Sequence, residues 1–206
     1  MRDTSKTKNE FEKALFLLLE SKNYHDVTVN DICALANKTK MTFYHHYKDK
    51  DSLLAEASIN LINREYGEEC EKIAAKETDP EEIEYQSVVV IYDWVARHYE
   101  QIRNLSYRGE TLPLELFKSA LMANYNRYIT EAIAESGYDV PGDYFSIFCF
   151  EGLYGTALYY AEQLKNNKNK KKIKETNRKA CRLLAKTVIS FMKAVESPSE
   201  NKADPA

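Results

Sequence analysis

Residues 37–50 read NKTKMTFYHHYKDK and combine positive charge with aromatic surface. The segment holds four lysines, two histidines and three aromatic residues, with a single acidic residue. Lysine ammonium groups neutralise phosphates, and outward polar side chains of a helix reach the edges of bases. The chemistry indicated is therefore the binding of a polyanion.

Charge is distributed unevenly along the chain, although the net value is only −3. Residues 1–50 carry nine Lys and Arg against seven Asp and Glu, whereas the remaining 156 residues carry 20 against 25. A basic patch on an otherwise acidic protein predicts that one surface meets a polyanion.

The elements that position this segment are predicted to be helices. Six glycines and five prolines in 206 residues supply few tight turns for a β fold, and the abundant Leu, Ala, Glu and Lys favour helix. Phe11, Leu15, Leu18 and Leu19 share one face of a first helix. Further helices are predicted at about 29–36, from Thr39, and at about 50–76, 80–101, 112–136, 143–166 and 171–196. The predicted fold class is all-α, with about nine helices.

Capping residues mark two short helices joined by a tight turn. Thr28, with Asp31 three residues later, approximates a capping box, and Thr39 and Asp49 can cap the next two helices. Asn37 tolerates the left-handed backbone that a sharp turn requires. With basic and aromatic residues on its second helix, this pattern predicts a helix-turn-helix.

The second helix of this unit is predicted to enter the major groove of double-stranded DNA. Phe43 and Tyr47 are expected in the core, whereas packing is the alternative role for Tyr44 and His46. The amide and the charge of Lys50 can both meet a phosphate, and residues at the start of the preceding helix can do the same. The candidate DNA-binding residues are Thr28, Asn30, Thr39, Lys40, Met41, Thr42, Tyr44, His45, His46, Lys48 and Lys50.

The run VTVNDICALANKTKMTFYHHYKDKDSLL, residues 27–54, resembles the DNA-binding signature of the TetR family of bacterial transcriptional regulators. The matching positions are Thr28, Ile32-Cys33, Ala36-Asn37, Thr39, Phe43 to Tyr47, Lys48 to Lys50, and Leu53-Leu54. The sequence departs from the family pattern at Asn37, Lys38, Met41 and Tyr47, which stand for a glycine, an aliphatic residue, a small residue and a phenylalanine. These departures leave the predicted fold intact but do not allow an operator sequence to be carried over.

The resemblance implies a homodimeric repressor that binds a palindromic operator and responds to a small-molecule effector. It also implies that the last two helices of each subunit pair into a four-helix bundle. Independently, residues 144–161 are apolar around most of a helix and need a second covering surface. The candidate interface residues are Gly152, Gly155, Tyr159, Leu184, Val188 and Phe191.

Aromatic residues are concentrated in the second part of the chain and are predicted to line a ligand cavity. The candidate ligand-binding residues are Trp94, His98, Tyr107, Tyr125, Tyr128, Phe148, Glu151 and Tyr154. Glu151 is the only charged residue of its apolar segment, so it is expected either to contact a polar or cationic ligand or to pair with a buried Arg97, Arg103 or Arg108.

Three regions are predicted along the chain. Residues 1–50 form the DNA-binding domain, with the helix at about 50–76 as the connection; residues 51–196 form the effector-binding and dimerisation domain. Residues 197–206, SPSENKADPA, are predicted to form a disordered tail.

Other classes of function are less well supported. No GxGxxG, GxxxxGK[ST], GxSxG or HExxH pattern is present, so neither an enzyme nor a cofactor is predicted.

The four cysteines are scattered, which indicates separate thiols in a reducing cytoplasm rather than a metal site. The segment 144–161 is predicted to be a bundle helix and not a membrane span. A transcriptional activator, a regulator controlled by a protein partner, and a helical adaptor that does not bind DNA stay open as alternatives.

Overall fold

The structure, a computed structural model, describes residues 4–106, 111–136 and 142–196; within these ranges it describes all side chains except those at 124, 126–136, 142–143 and 191–196. All regular secondary structure in these ranges is helical. The predicted all-α fold class is therefore confirmed. We number nine helices in the described part of the chain, α1 to α9.

The first three helices form a small bundle around aromatic residues. Their bounds are Thr4–Leu19 for α1, Val29–Leu35 for α2 and Lys40–His46 for α3, with a 3-10 turn at Tyr24–Asp26. Phe11 of α1 and Phe43 of α3 are fully buried and meet edge to face, with ring centroids 5.4 Å apart. A pair in this geometry adds about 0.5–1.5 kcal/mol to the free energy gained by burial alone.

The turn between α2 and α3 follows the capping residues expected from the sequence. Thr28 and Asp31 form a capping box, in which each side chain accepts a hydrogen bond from the other residue's backbone N–H. Asn37 has a φ of 52° and is the only non-glycine residue with positive φ in the described ranges. Thr39 caps α3 by accepting a hydrogen bond from the N–H of Thr42. The predicted helix-turn-helix geometry is confirmed.

A single long helix, α4, leads out of this bundle and contains a π-helical turn. Its bounds are Lys50–Ile62 for the first α-helical part, Asn63–Gly67 for the π-helical turn and Glu68–Ala74 for the second α-helical part. Asp49 caps α4 by accepting a hydrogen bond of 2.8 Å from the N–H of Ser52. At the π-helical turn the N–H of Glu68 donates to the carbonyl of Asn63, five residues earlier. The long helix was predicted, but the π-helical turn was not.

Five further helices complete the fold. Their bounds are Pro80–Arg97 for α5, Tyr99–Arg103 for α6, Leu112–Ser136 for α7, Gly142–Asn166 for α8 and Lys170–Glu196 for α9. α5 packs against α8 and α9, and α7 packs against α4 and α8. The helix predicted at about 80–101 is instead two helices, because His98 leaves helical geometry with φ −96° and ψ 11°.

One contiguous hydrophobic cluster connects the N-terminal bundle to the other helices. It runs from Phe11 through α4 and α5 to Cys181 in α9. Trp94 and Tyr92 of α5 are among its largest fully buried side chains. A core that is continuous in this way transmits a displacement of one helix to its neighbours, because close-packed side chains leave few voids to absorb it.

The structure also bears on the expectations about thiols, metals and membranes. All four cysteines are free, and Cys33, Cys149 and Cys181 are buried. The described residues contain no group of three or more His, Cys, Asp or Glu side chains that could hold a metal ion. No helix within the described ranges has both the length and the apolar character needed to cross a membrane. The predicted disordered tail, 197–206, lies outside the described residues.

Candidate nucleic-acid interface and internal cavity

The two faces of α3 differ sharply in burial. Phe43 and Tyr47 are at most 4% exposed and pack on Phe11, whereas Met41 is 84% exposed and Tyr44 is 57% exposed. Because the inner face is anchored by aromatic rings, the outer face is held in a fixed orientation away from the bundle. Solvent-exposed members of the predicted set on or next to this helix are Thr39, Lys40, Met41, Tyr44, His45 and Lys48.

The hydroxyl groups of the predicted interface also serve local hydrogen bonds. The Thr28 hydroxyl donates to Oδ2 of Asp31 at 2.8 Å, and Oγ1 of Thr39 lies 2.9 Å from Oγ1 of Thr42. Lys22 and Thr28 together lower the pKa of Asp31 to about 2, so its carboxylate stays ionised and keeps the cap in place. Thr28 and Asn30 are nevertheless exposed at the start of α2.

Lys50 has a different environment from the one predicted. Its ammonium group donates to the carbonyl oxygens of Tyr24 at 2.8 Å and Val27 at 3.0 Å. It also lies 4.4 Å from the centroid of the Tyr24 ring. The charge of Lys50 therefore ties the start of α4 to the segment before α2. In this structure the ammonium binds backbone carbonyls, which replaces the phosphate contact predicted for its charge.

His46 lies at the edge of the aromatic core. Its ring centroid is 6.4 Å from those of Phe11 and Tyr47, and the side chain is half-buried. Partial burial and the neighbouring His45 and Lys8 lower the pKa of His46, which favours the neutral ring. These contacts favour the bracing role that the sequence left open for this residue.

Lys38, one of the departures from the family pattern, makes an ion pair within the bundle. Its ammonium lies 2.6 Å from Oε2 of Glu10 in α1. This pair lowers the pKa of the Glu10 carboxyl. The lysine thus links the turn before α3 to α1, where the aliphatic residue of the family pattern would offer only an apolar contact.

A chain of hydrogen bonds connects the π-helical turn of α4 to α1. Glu65, in that turn, accepts from Nε1 of Trp94 at 3.2 Å and lies 2.8 Å from Nε2 of His98. The other ring nitrogen of His98 is 2.6 Å from Oε1 of Gln101, and the Gln101 amide nitrogen donates to the carbonyl of Phe16 at 3.3 Å. Each ring nitrogen of His98 therefore lies within hydrogen-bonding distance of a side-chain oxygen.

A second connection lies beside the first. The Asn104 side chain is buried and donates to the carbonyl of Leu19 at 2.9 Å. The backbone carbonyl of Asn104 accepts a hydrogen bond from the N–H of Tyr24 at 2.8 Å. These two bonds fasten the end of α6 to the end of α1 and to the 3-10 turn that follows it. The N-terminal bundle is therefore attached to the larger helical body at defined points that are rich in hydrogen bonds.

An internal cavity of about 210 Å³ lies between α4, α5, α7 and α8. Its wall includes Tyr66 and Gly67, which belong to the π-helical turn, and Phe150 and Leu153 of α8. The cavity is therefore adjacent to the residue, Glu65, that begins the hydrogen-bonded chain to α1.

The structure places only some of the predicted ligand residues at this cavity. Tyr125 and Tyr154 line it. Trp94 and His98 are instead held by Glu65 outside the cavity wall, and Phe148 is 77% exposed. Tyr107 and the Tyr128 side chain lie outside the described residues.

The expectation for Glu151 was wrong. Its side chain is 52% exposed and lies 2.8 Å from the ammonium of Lys118, so it is neither in the cavity wall nor paired with a buried arginine. An apolar helix that is exposed along one face accommodates such a carboxylate at its surface, where water offsets the cost of burying charge.

A buried carboxyl group that does line the cavity belongs to Glu84 of α5, which the sequence analysis missed. Glu84 is 3% exposed, and burial raises the pKa of its carboxyl group to about 7. Its spacing of four and seven residues from Val88 and Ile91, which also line the cavity, places all three on one helix face. That spacing is the signal by which the acid could have been found.

An exposed stripe runs along α8. Tyr144, Phe148 and Tyr159 are 63–78% exposed, and Ile147 on the same side is 47% exposed. A Cβ atom added at Gly152 or Gly155 would meet nothing within 4 Å, so packing within the chain does not require these glycines. Leu184 is half-buried, but Val188 packs internally against Phe145 and Cys149, which corrects its placement on a partner-facing surface. The Phe191 side chain lies outside the described residues.

The described part of the chain thus combines a helix-turn-helix bundle with a larger helical body that contains a cavity. Residues 13–57 match the family model described as bacterial regulatory proteins, tetR family. The chain is also similar to a protein of Syntrophomonas wolfei assigned to the TetR-family transcriptional regulators, with 17% identity over 97% of this chain and 100% of the other and a TM-score of 0.61.

Two further solved structures share the fold. The fatty acid degradation regulator FadR from Bacillus halodurans has 12% identity, covers 98% of this chain and 100% of its own, and gives a TM-score of 0.61. A TetR transcriptional regulator from Streptococcus agalactiae has 21% identity, with 94% and 95% covered and a TM-score of 0.51. No curated protein sequence is significantly similar to the chain.

The family model and the shared fold confirm the resemblance to the TetR family. The N-terminal bundle is a TetR-type helix-turn-helix domain, and the chain as a whole has the fold of TetR-family transcriptional regulators.

Proposed function

We propose that the protein is a homodimeric repressor that binds a palindromic DNA operator and loses affinity for it when a small molecule occupies the internal cavity. The single observation that carries this proposal is the opposition of the two faces of α3. One face is locked into the aromatic core, and the other presents exposed basic, polar and aromatic side chains.

DNA binding is assigned to that exposed face together with the start of α2. Lys40 and Lys48 supply positive charge for phosphates, while Met41 and Tyr44 offer contact area to base edges. Asn30 and Thr28 lie exposed at the start of α2. The role of Lys50 in this proposal is to hold α4 against the bundle, since its ammonium is bound to backbone carbonyls.

Dimerisation is assigned to the exposed stripe of α8 with the adjoining side of α9. Aromatic side chains that are exposed along one helix face mark a surface that another molecule covers. Gly152 and Gly155 allow the backbone of a second helix to approach closely. A two-fold axis through this surface presents two α3 helices to successive major grooves, about 34 Å apart.

Coupling between the cavity and DNA is assigned to α4 and its π-helical turn. Tyr66 and Gly67 of that turn line the cavity, and the neighbouring Glu65 begins the hydrogen-bonded chain to Phe16 in α1. A ligand that displaces the turn changes the position of the bundle relative to the rest of the subunit. Its effect on DNA affinity equals the difference between its affinities for the two arrangements.

Selection of bound duplexes from random DNA tests this proposal. We expect a palindromic sequence, to which the Lys40→Ala and Tyr44→Ala variants bind at least about tenfold more weakly and with relaxed sequence preference. Lys174→Ala removes an exposed lysine of α9 and serves as the control, with affinity unchanged. Protein that stays monomeric and binds no duplex at low ionic strength would refute the proposal and favour the adaptor alternative. Expression from the selected operator with and without the protein distinguishes a repressor from an activator.

A further inference from the structure

The cavity contains a buried acid without a counter-ion. Glu84 lines the wall at 3% exposure and has no hydrogen-bond or ion-pair partner among the described residues. Burial raises the pKa of its carboxyl to about 7, and no neighbouring cation offsets that effect. Burying an ionised carboxylate in this way costs free energy, and a bound cation or hydrogen-bond donor would offset that cost.

The rest of the wall offers no positive charge. Among the described residues, the only charged side chains that line the cavity are Glu84 and Glu71, and both are acidic. A ligand with a carboxylate or phosphate group would therefore enter an unfavourable electrostatic environment. A fatty acid carboxylate, for example, would face these two acids.

Two further polar groups of the wall also lack partners. The hydroxyl groups of Tyr125 and Tyr154 are buried without a hydrogen bond. The Cys149 thiol is near enough to Tyr125 to interact with it, but their geometry does not make a hydrogen bond, and a thiol is a weak partner in any case. Buried hydroxyls are normally hydrogen-bonded, so these two hydroxyls are available to a ligand in the cavity.

The same wall supplies aromatic surface. The rings of Phe150 and Tyr154 are stacked at 5.9 Å with an interplanar angle of 13°, and the ring of Tyr125 lies 6.3 Å from that of Phe150. Aromatic faces attract organic cations, most strongly where water is excluded. The apolar part of a ligand also packs favourably against these rings and against Leu153.

We propose that the ligand of this cavity is an organic ammonium ion with an apolar chain or ring. Its nitrogen binds the carboxylate of Glu84, its remaining N–H groups donate to the hydroxyl oxygens of Tyr125 or Tyr154, and its apolar part lies against Phe150. The inference deepens the proposed function, since it rests on the cavity being the effector site and names the chemistry of the effector.

Calorimetric titration with three probes of equal chain length tests the ligand class. The probes are octylammonium, 1-octanol and octanoate, offered to the full-length protein at pH 7.5. We expect octylammonium to bind about tenfold or more tightly than octanol, and octanoate to bind most weakly. Glu84→Gln should reduce the affinity for octylammonium by about tenfold and leave that for octanol within about threefold. Glu71→Gln, an exposed acid of the same wall, is the matched control and should keep the preference for ammonium.

Each contrary outcome has a separate meaning. Octanoate binding as tightly as octylammonium, an intact preference in Glu84→Gln, or no binding of any probe at millimolar concentration would overturn the proposed ligand class. Retained octanol binding by Glu84→Gln shows that its cavity is still folded.

Titration of the operator in the presence of each bound probe tests the regulatory function separately. Octylammonium that binds through Glu84 without changing DNA affinity would refute the effector role alone, and DNA release by octanoate would refute the ligand class alone.

Discussion

Nε2 of His98 lies 2.8 Å from Oε2 of Glu65, and this contact joins the point where α5 ends to the π-helical turn of α4. Through Gln101 the same imidazole reaches the carbonyl of Phe16 in α1. His98 and Gln101 thus link the π-helical turn of α4 to the N-terminal bundle.

Replacing the His98 side chain is expected to uncouple the two regions. His98→Phe keeps a ring in place but removes one hydrogen-bond partner from Glu65 and one from Gln101. We expect the free energy of unfolding in urea to fall by about 1–3 kcal/mol. We also expect the ratio of operator affinities without and with ligand to move towards one. Gln163→Leu, which removes only an exposed local hydrogen bond between the end of α8 and Asn167, should alter neither quantity. An unchanged ligand response in His98→Phe would show that coupling runs through other contacts.

Two neighbouring lysines are expected to differ in what their loss costs. Lys50→Met removes the ammonium that donates to the carbonyls of Tyr24 and Val27, so the free energy of unfolding should fall by about 1–3 kcal/mol. Lys48 is exposed, so Lys48→Met should leave stability unchanged and weaken operator binding. The slope of log affinity against log salt should decrease by about 1 for Lys48→Met. Equal stability of the two variants would contradict the bracing role of Lys50.

The buried acid of the cavity predicts an unusual dependence of stability on pH. Folding raises the pKa of Glu84 from 4.5 to about 7, so the folded protein binds its proton more tightly than the unfolded chain does. The contribution of this group therefore destabilises the fold increasingly as pH rises from about 4.5 to 7. At pH 8, Glu84→Gln should be more stable than the parent by about 3 kcal/mol, and near pH 4.5 the difference should disappear. Urea unfolding of both proteins across this range measures it; a difference that does not vary with pH would show that the shift is absent.

The left-handed residue of the helix-turn-helix allows a direct test of backbone conformation. Asn37→Ala places a side chain with no local hydrogen bonding at a φ of 52°, which costs about 1 kcal/mol of stability. Asn37→Gly removes that cost in the folded state but adds freedom to the unfolded chain, so its stability should be close to that of the parent. Chemical unfolding of the three proteins should rank alanine lowest. Identical stabilities would mean that the turn relaxes to a different conformation.

The exposed stripe of α8 should determine the state of association. Phe148 is 77% exposed, and Phe148→Lys places a charge where the proposed dimer excludes water. We expect sedimentation velocity at micromolar concentration to show mostly monomer for this variant and dimer for the parent. Leu17→Lys changes a 53% exposed residue of α1 and should leave the dimer intact. A Phe148→Lys protein that remains dimeric would place the interface on another surface.

Local sequence signals predicted the helix-turn-helix well because the determinants are local. Thr28, Asn37, Thr39 and Asp49 each fix backbone hydrogen bonds or dihedral angles within three residues of themselves. The burial of Phe43 and Tyr47 followed from helical spacing alone, and the structure agrees.

The cavity was harder to predict because its wall is assembled from four separate helices. Tyr125 and Tyr154 were recognised by residue type, but Phe148 and Glu151 have similar local sequences and lie on the opposite, exposed side of α8. Only tertiary packing decides which side of an apolar helix is covered. Glu84 was missed because an acid on an otherwise apolar face is usually at the boundary with solvent, whereas here it is buried at the wall of the cavity.

The π-helical turn has a consequence for insertions and deletions in α4. With the N–H of Glu68 bonded to Asn63, this turn holds one residue more than a turn of α-helix does. Deleting the exposed Arg64 would convert it to an uninterrupted α-helix and keep the helix phase before and after it. The shortened chain would keep the buried face of α4, but Glu65 would no longer point at His98. In the proposed mechanism, this one residue therefore separates a helix that couples the cavity to the N-terminal bundle from one that only supports the fold.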